Sequence, residues 1–258
     1  LGGPPRPPEP GGAPHFARGP RGRPEGYHLT EDMADKAIKW IRTQRALAPE
    51  KPFLMYWAPG AVHGPHQVAQ EWTDKYKGKF DDGWDAYRER VFKRQQELGY
   101  LPADAKLTPR PESMPGWDEI PDLEKPLQSR LMEVFAGFCE HTDVQLGRMI
   151  DELESLGIRD NTLVFYIWGD NGSSAEGQGG TVAEFLAQSG TATTIADHLR
   201  VLDEHGGLDE LGGPKFENMY HAGWSWAGST PYRSTKLVAA HFGGTRNPLA
   251  VSWPKSIK

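Results

Sequence analysis

An acidic residue and an amide stand side by side where a cation could be bound. Asp170 and Asn171 belong to Gly169-Asp170-Asn171-Gly172, directly after the apolar run 163–168. Carboxylate and amide oxygens are ligands that Ca²⁺ and Mg²⁺ accept in proteins, so the pair could form half of a metal site. Asp-Asn-Gly also makes a simple turn, because Asn and Gly tolerate positive φ. Both interpretations stand on these residues alone.

A histidine and a lysine could act on an anion. His63 lies in a loop after a second apolar run, 53–58, and an imidazole held there could transfer a proton or bind an anion. Lys236 follows Ser229-Thr230-Pro231-Tyr232-Arg233, and an ammonium group aimed at a cleft would pair with a sulfate or phosphate oxygen. A hydrogen-bonded surface histidine and a solvated lysine are the ordinary alternatives.

Helices and strands must position these four residues. Thr30 is a candidate N-cap for a helix over 31–46, and helical stretches are expected near 84–98, 181–188 and 194–204. A long amphipathic helix is predicted from about 124 to Gly157, which suits a left-handed C-terminal cap.

The two apolar runs indicate the class of fold. Runs 53–58 and 163–168 have the continuous apolar character of strands buried on both faces. Helices separate them, which predicts an α/β sheet with parallel strands and a ligand site at their carboxyl ends. His63 and Asp170 both follow such an end.

Composition narrows the function classes. The chain has 258 residues and a net charge of −6, with no basic stripe, so nucleic acid is not an expected partner. No apolar run approaches the roughly 20 residues that a membrane span needs, so no membrane partner is expected, and localisation stays open. Residues 1–26 contain eight Pro and seven Gly, which predicts a flexible lead-in before a domain over 27–258. Oligomeric state cannot be inferred.

Four stretches, in order along the chain, resemble bacterial arylsulfatases. They are Gly26-Tyr27-His28-Leu29-Thr30, Tyr56-Trp57-Ala58-Pro59 with His63, 160–164 with Gly169-Asp170-Asn171-Gly172, and 241–248, which is similar to a Gly-Gly-x-Arg-x-Pro signature. The resemblance implies an alkaline-phosphatase-like α/β fold with a mixed, mostly parallel sheet flanked by helices, the N-terminal part of the domain being absent. It implies hydrolysis of a small-molecule sulfate ester, an aryl sulfate.

The resemblance also implies roles for the candidate residues. Asp170 and Asn171 match two of the family's four metal ligands, the cation being Ca²⁺ or, less often, Mg²⁺. His63 matches a histidine that contacts the sulfate and assists the leaving oxygen, and Lys236 matches the lysine that binds the sulfate.

The family's nucleophile has no counterpart upstream of His63. It is a formylglycine made from Cys or Ser in Cys/Ser-x-Pro-x-Arg, which is expected in an N-terminal segment outside this chain. Ser229 fits the bare Ser-x-Pro-x-Arg string but follows the Asp-Asn-Gly motif, which argues against it, and Cys139 lies in the long helix without Pro or Arg. Two alternatives stay open: a phosphonate or phosphodiester hydrolase of the same superfamily, and a non-catalytic scaffold.

Overall fold

The computed structural model describes residues 26–257, so the expected lead-in lies almost wholly outside the described residues. The helices are α1 (Leu29–Leu47), α2 (Gln70–Asp74), α3 (Gly83–Glu97), α4 (Lys125–Ser155), α5 (Glu184–Gln188), α6 (Ile195–His205) and α7 (Ala222–Gly228). The strands are β1 (Val164–Ile167) and β2 (Leu249–Ser252). None of the helices between residues 26 and 257 has the length and apolar character required to cross a membrane.

Helix α4 is the central element against which α1 and α2 pack. Its predicted extent is confirmed, and Gly157 takes the left-handed conformation expected after it, with φ +65°. Arg42 of α1 donates to Glu152 of α4 through Nε and Nη2, at 2.8 and 2.6 Å. This bidentate pair fixes α1 along the C-terminal half of α4.

The predicted N-cap of α1 is wrong by two residues. The helix begins at Leu29, and its N-cap is His28 rather than Thr30. The Nδ1 atom of His28 accepts a hydrogen bond from the backbone N–H of Thr30 at 3.2 Å, while its Nε2 lies 3.1 Å from the carbonyl of Gln67. An imidazole therefore replaces the hydroxyl cap, and it also ties α1 to the loop before α2.

Aromatic side chains form the core between α3 and α7. Trp84 and Trp224 meet edge to face with ring centroids 5.7 Å apart, and Trp117 completes the group. His221, the N-cap of α7, stacks flat on Trp84 at 4.4 Å. A Cβ on Gly223 would lie 2.4 Å from the Trp84 ring, so a glycine is required where α7 meets α3.

The sheet differs from the expected one. Strand β1 confirms the strand predicted over 163–168, but it pairs with β2 in antiparallel register, Val164 opposite Ser252. This is a two-stranded sheet, and the mostly parallel sheet is not present among residues 26–257. Two apolar runs separated by a helix are typical of strands that pair in parallel. Which strand pairs with β1, and in which direction, depends on contacts that the spacing of apolar residues cannot show.

Segment 53–58 is not a strand within the described part of the chain. Its side chains alternate, with Leu54 91% exposed and Tyr56 90% exposed, whereas Phe53, Met55 and Trp57 are partly covered. On β1, Phe165 and Ile167 are likewise 60% and 62% exposed. The prediction that both runs are buried on both faces is therefore wrong here, because residues 26–257 cover only one face of each.

The helix expected over 181–188 is shorter than predicted. Thr181 and Ala183 instead form isolated bridges to Met219 and Glu217, and α5 begins at Glu184. The helix expected over 194–204 is confirmed as α6, with a capping box between Thr194 and Asp197.

Candidate functional site

A cleft of about 1820 Å³ opens where β1 ends, and all four candidate residues line it. They come from three separate loops, one after segment 53–58, one after β1 and one after α7. The lining residues of chemical interest are His63, Asp170, Asn171 and Lys236. Their roles stay predictions, but the fold brings them to one surface.

Lys236 is held at both ends. Its backbone N–H donates to the carbonyl of Ser173 at 2.9 Å, and the Ser225 hydroxyl donates to the same carbonyl at 2.8 Å. Its Nζ atom donates to Oε2 of Glu176 at 2.6 Å and lies 3.0 Å from Nε2 of His63. Only 11% of the side chain is exposed. The ammonium group is therefore fixed at the wall of the cleft rather than extended into solvent.

The partners of His63 decide its tautomer. Nδ1 lies 2.8 Å from the carbonyl oxygen of Gly64, which can only accept, so Nδ1 carries the proton. Nε2 then presents a lone pair that accepts from the Lys236 ammonium. The ring is exposed to the cleft. A ring so oriented can bind a proton at Nε2 and pass it to a group that enters beside Lys236.

Asp170 and Asn171 lie exposed in a turn bracketed by glycines. Gly169 and Gly172 have φ of +78° and +87°, and the N–H of Gly172 donates to Oδ1 of Asn247 at 3.0 Å. A Cβ at Gly172 would lie 2.2 Å from the carbonyl oxygen of Gly243, so the residue after the pair must be glycine. The tripeptide makes a turn and also presents two oxygen-bearing side chains to the cleft.

The donor chemistry of this turn fits a hard cation only in part. One carboxylate and one amide oxygen suit Ca²⁺, which takes 6–8 oxygen ligands. No group of three or more His, Cys, Asp or Glu that could hold a metal ion occurs within the described range 26–257. Asp170 and Asn171 could therefore supply a share of a Ca²⁺ site, with further ligands required from elsewhere.

Glu176 is a functional candidate that sequence reasoning did not find. Its Oε2 accepts from both Lys236 and the hydroxyl of Ser174, each at 2.6 Å. Burial disfavours its ionised form, but the hydrogen bonds from Lys236 and Ser174 and the positive charge of Lys236 outweigh it, so the pKa of Glu176 is lowered. The sequence shows only that Glu176 is a carboxylate in the same loop as Asp170. Because 60 residues separate it from Lys236, the sequence gives no sign of their contact.

Arg88 is a second residue whose importance the sequence did not reveal. It lies fully buried on α3, and its pKa is lowered to about 10 by burial. Its guanidinium donates to Trp226 and Tyr232 carbonyls at 2.6 and 2.9 Å and to Thr108 at 2.7 Å, and it stacks over the Trp226 ring. Arg88 thus anchors the segment that leads from α7 to Lys236.

Ser229 and Cys139 are the two residues of this chain that were considered as nucleophiles and set aside. Ser229 is 7% exposed and its hydroxyl donates to the carbonyl of Ser225 at the end of α7. Cys139 lies in α4, where burial raises the pKa of its thiol and so disfavours the nucleophilic thiolate.

Comparison with known proteins gives the family. The sulfatase family model matches residues 4–258. The chain belongs to the sulfatase family. An uncharacterised sulfatase of Schizosaccharomyces pombe is 30% identical over 237 residues, covering 91% of this chain and 40% of the yeast protein. An arylsulfatase of Klebsiella aerogenes is 27% identical over 155 residues, covering 60% of this chain and 32% of the bacterial protein.

Membership confirms the resemblance on which the site was predicted. A sulfatase has an alkaline-phosphatase-like α/β fold, and the helices and small sheet of this chain agree with the α/β class. Sulfatases as a family hydrolyse sulfate esters, and one matching relative is named an arylsulfatase. The chain spans less than half the length of either curated relative, so the activity of a whole protein is a matter for proposal.

Proposed function

We propose that this chain contributes the sulfate-binding and leaving-group side of a site that hydrolyses sulfate monoesters. The observation that carries the proposal is the contact between Lys236 and His63, 3.0 Å apart on the wall of a cleft that also holds Asp170 and Asn171. A fixed cation beside an imidazole is suited to a group that becomes more negative as its ester bond breaks.

The chemistry assigns a task to each side chain. When the S–O bond breaks, negative charge develops on the leaving oxygen and remains on the sulfuryl oxygens. The Lys236 ammonium stabilises that charge, and His63, once protonated at Nε2, donates its proton to the leaving oxygen. Asp170 and Asn171 would hold Ca²⁺, or Mg²⁺ in its place, which would supply positive charge next to the sulfuryl group.

The nucleophile of the proposal is a formylglycine from outside this chain. Two observations support that part: the hydroxyl of Ser229, a residue only 7% exposed, is hydrogen-bonded to the carbonyl of Ser225, and burial raises the pKa of the Cys139 thiol. Aryl sulfates are the proposed substrates because a matching relative is named an arylsulfatase. The cleft carries apolar side chains such as Trp57 and Phe165 beside the polar ones, which suits an aromatic leaving group.

The test is turnover of 4-nitrophenyl sulfate by the complete gene product with added CaCl₂. Lys236→Ala and His63→Ala should each lower kcat/KM by about 100-fold or more, as expected for lost transition-state stabilisation. Lys215→Ala, which removes an exposed lysine paired with Glu210, is the matched control and should leave turnover unchanged. Near-normal turnover in Lys236→Ala would overturn the assignment.

The same assay separates the alternatives. Preferred hydrolysis of bis(4-nitrophenyl) phosphate or a phosphonate ester over the aryl sulfate would replace the proposal with a phosphodiester or phosphonate hydrolase, since the fold serves both reactions. No turnover of either ester, with inorganic sulfate still bound, would favour a non-catalytic binding scaffold.

A further inference from the structure

We propose that Glu176 is a positioning residue that holds the Lys236 ammonium beside His63. Its negative charge also lowers the affinity of the site for the sulfate product. The inference rests on the proposed function, because it concerns the same anion site. It adds a carboxylate that sequence reasoning does not assign to any role.

The carboxylate of Glu176 is itself held in place. Its Oε2 accepts from the Ser174 hydroxyl at 2.6 Å, and its backbone N–H donates back to that hydroxyl at 3.3 Å. The side chain is 26% exposed, so most of it is removed from solvent. A carboxylate fixed in this way can fix the group that it pairs with.

Lysine requires such a partner in order to act as a precise anion contact. Its long, flexible side chain has rotamer entropy that an anion would have to remove on binding. In this structure, Ser173 holds the backbone of Lys236 and Glu176 holds its tip. The segment 173–176 thus performs both tasks directly after the Asp170-Asn171 turn, and substrate meets a pre-organised ammonium.

The charge of Glu176 acts differently on substrate and product. A sulfate monoester carries one negative charge, whereas free sulfate carries two. Repulsion by the carboxylate is proportional to the charge of the ligand, so it opposes product binding about twice as strongly as substrate binding at equal distance. Glu176 therefore favours release of the product from a site in which the Lys236 ammonium attracts it.

Glu184 is a second carboxylate near Glu176, but it does not bond to Lys236. It is buried, which raises the pKa of its carboxyl, and its Oε1 accepts from Gln188 at 2.8 Å. Its charge interacts with that of Glu176, but its hydrogen bond is made with Gln188 rather than with Lys236. Glu176 is the carboxylate that bonds to the ammonium group.

Competitive acetylation of the 258-residue chain tests the positioning role without any ligand. With limiting acetic anhydride and mass spectrometry, Lys236 should react slowly in the wild type relative to exposed lysines such as Lys36. Glu176→Ala should raise its relative rate by about fivefold or more, and Glu176→Gln, which keeps an acceptor oxygen, should raise it less. Glu217→Gln, a nearby half-buried carboxylate, is the matched control and should leave the rate unchanged. A wild-type rate in Glu176→Ala would overturn the proposal.

Anion binding tests the charge effect, with CaCl₂ present and inorganic sulfate and methyl sulfate as probes. Glu176→Gln should bind sulfate about tenfold more tightly than the wild type, and its gain for methyl sulfate should be smaller. Equal gains for both anions, or no gain for sulfate, would refute the charge effect. If the wild type and all variants bind neither anion, the proposed function fails at this site, while acetylation still decides whether Glu176 holds Lys236.

Discussion

Nζ of Lys236 lies 3.0 Å from Nε2 of His63, although 173 residues separate the two side chains. The lysine arrives on the loop after α7 and the histidine on the loop after segment 53–58, so the contact exists only in the folded chain. A neutral imidazole accepts from the ammonium here, and both groups face the same cleft. Their effects on an anion must therefore be coupled.

That coupling is measurable in a double-mutant cycle. We expect the loss of kcat/KM in Lys236→Ala/His63→Ala to be at least about tenfold smaller than the product of the losses in the single variants, because each residue orients the other. The measurement is steady-state kinetics of the complete gene product on an aryl sulfate. Independent, multiplicative losses would show that the contact does not persist when substrate binds.

Arg88 should be essential for stability. Its guanidinium bonds to carbonyl and hydroxyl oxygens of Trp226, Tyr232 and Thr108, and it is fully buried. Arg88→Met should lower the free energy of unfolding by at least about 3 kcal/mol, since several buried acceptors lose their donor at about 1–3 kcal/mol each. Urea unfolding of the chain measures the loss.

Arg90 provides the control on the same helix. It is half exposed and pairs with Asp82, so Arg90→Met should change stability by no more than about 1 kcal/mol. An equal loss in both variants would mean that α3 propensity, rather than the buried hydrogen bonds, explains the effect of Arg88→Met.

Local sequence patterns predicted the helices and strands correctly more often than they predicted the contacts between them. The apolar spacing of α4, the left-handed Gly157 and the run that becomes β1 could all be inferred, because each depends on neighbours within a few residues. The pairing of β1 with β2 could not, since antiparallel or parallel register is decided by which strand arrives beside it.

The site shows the same division. Asp170, Asn171, His63 and Lys236 were found because they stand in motifs that resemble sulfatases, and the fold places all four on one cleft. Glu176 and Arg88 stand in no such motif. Their importance arises from contacts with residues that lie 60 and 144 positions further along the chain, Lys236 and Tyr232, and such contacts leave no local trace in the sequence.

Acid should destabilise this protein through its buried histidines. Burial lowers the pKa of His66 to about 3 and that of His221 to about 4. A lowered folded pKa means that the neutral ring is favoured by folding. The resulting stability is present above the unfolded pKa of about 6.5 and is lost as pH falls towards the folded value. Unfolding free energies at pH 7.5 and pH 5 should show this loss.

The variant His66→Leu isolates the contribution of His66 to the loss of stability in acid. His66 packs between Phe135 and Tyr220, and its Nδ1 is buried without a hydrogen-bond partner, so an apolar replacement is tolerated. We expect the loss of stability between pH 7.5 and pH 5 to shrink by about 2 kcal/mol. The reason is that at pH 5 the His66 ring binds a proton in the unfolded chain but stays neutral in the folded one. The exposed His205, changed to Gln, should leave the loss as it is. An unchanged acid sensitivity in His66→Leu would contradict the assignment.

The exposed apolar face of segment 53–58 should make the 258-residue chain self-associate. Leu54 and Tyr56 are 91% and 90% exposed, and Phe165 and Ile167 of β1, which line the same cleft, are also largely exposed. An extended segment with unpaired backbone and apolar side chains is a template for pairing with another chain. Sedimentation velocity should show mass rising with concentration. Tyr56→Lys should suppress that rise without loss of stability, because the side chain makes little contact in the monomer.

Tyr100→Lys is the matched control for this surface. Tyr100 is 76% exposed in the turn after α3, and it does not line the cleft that segment 53–58 and β1 share. The same change of aromatic to lysine there alters net charge equally, so any difference between the two variants reports the location rather than the charge. If both variants suppress association to the same degree, general charge repulsion explains the effect, and segment 53–58 is not the contact surface.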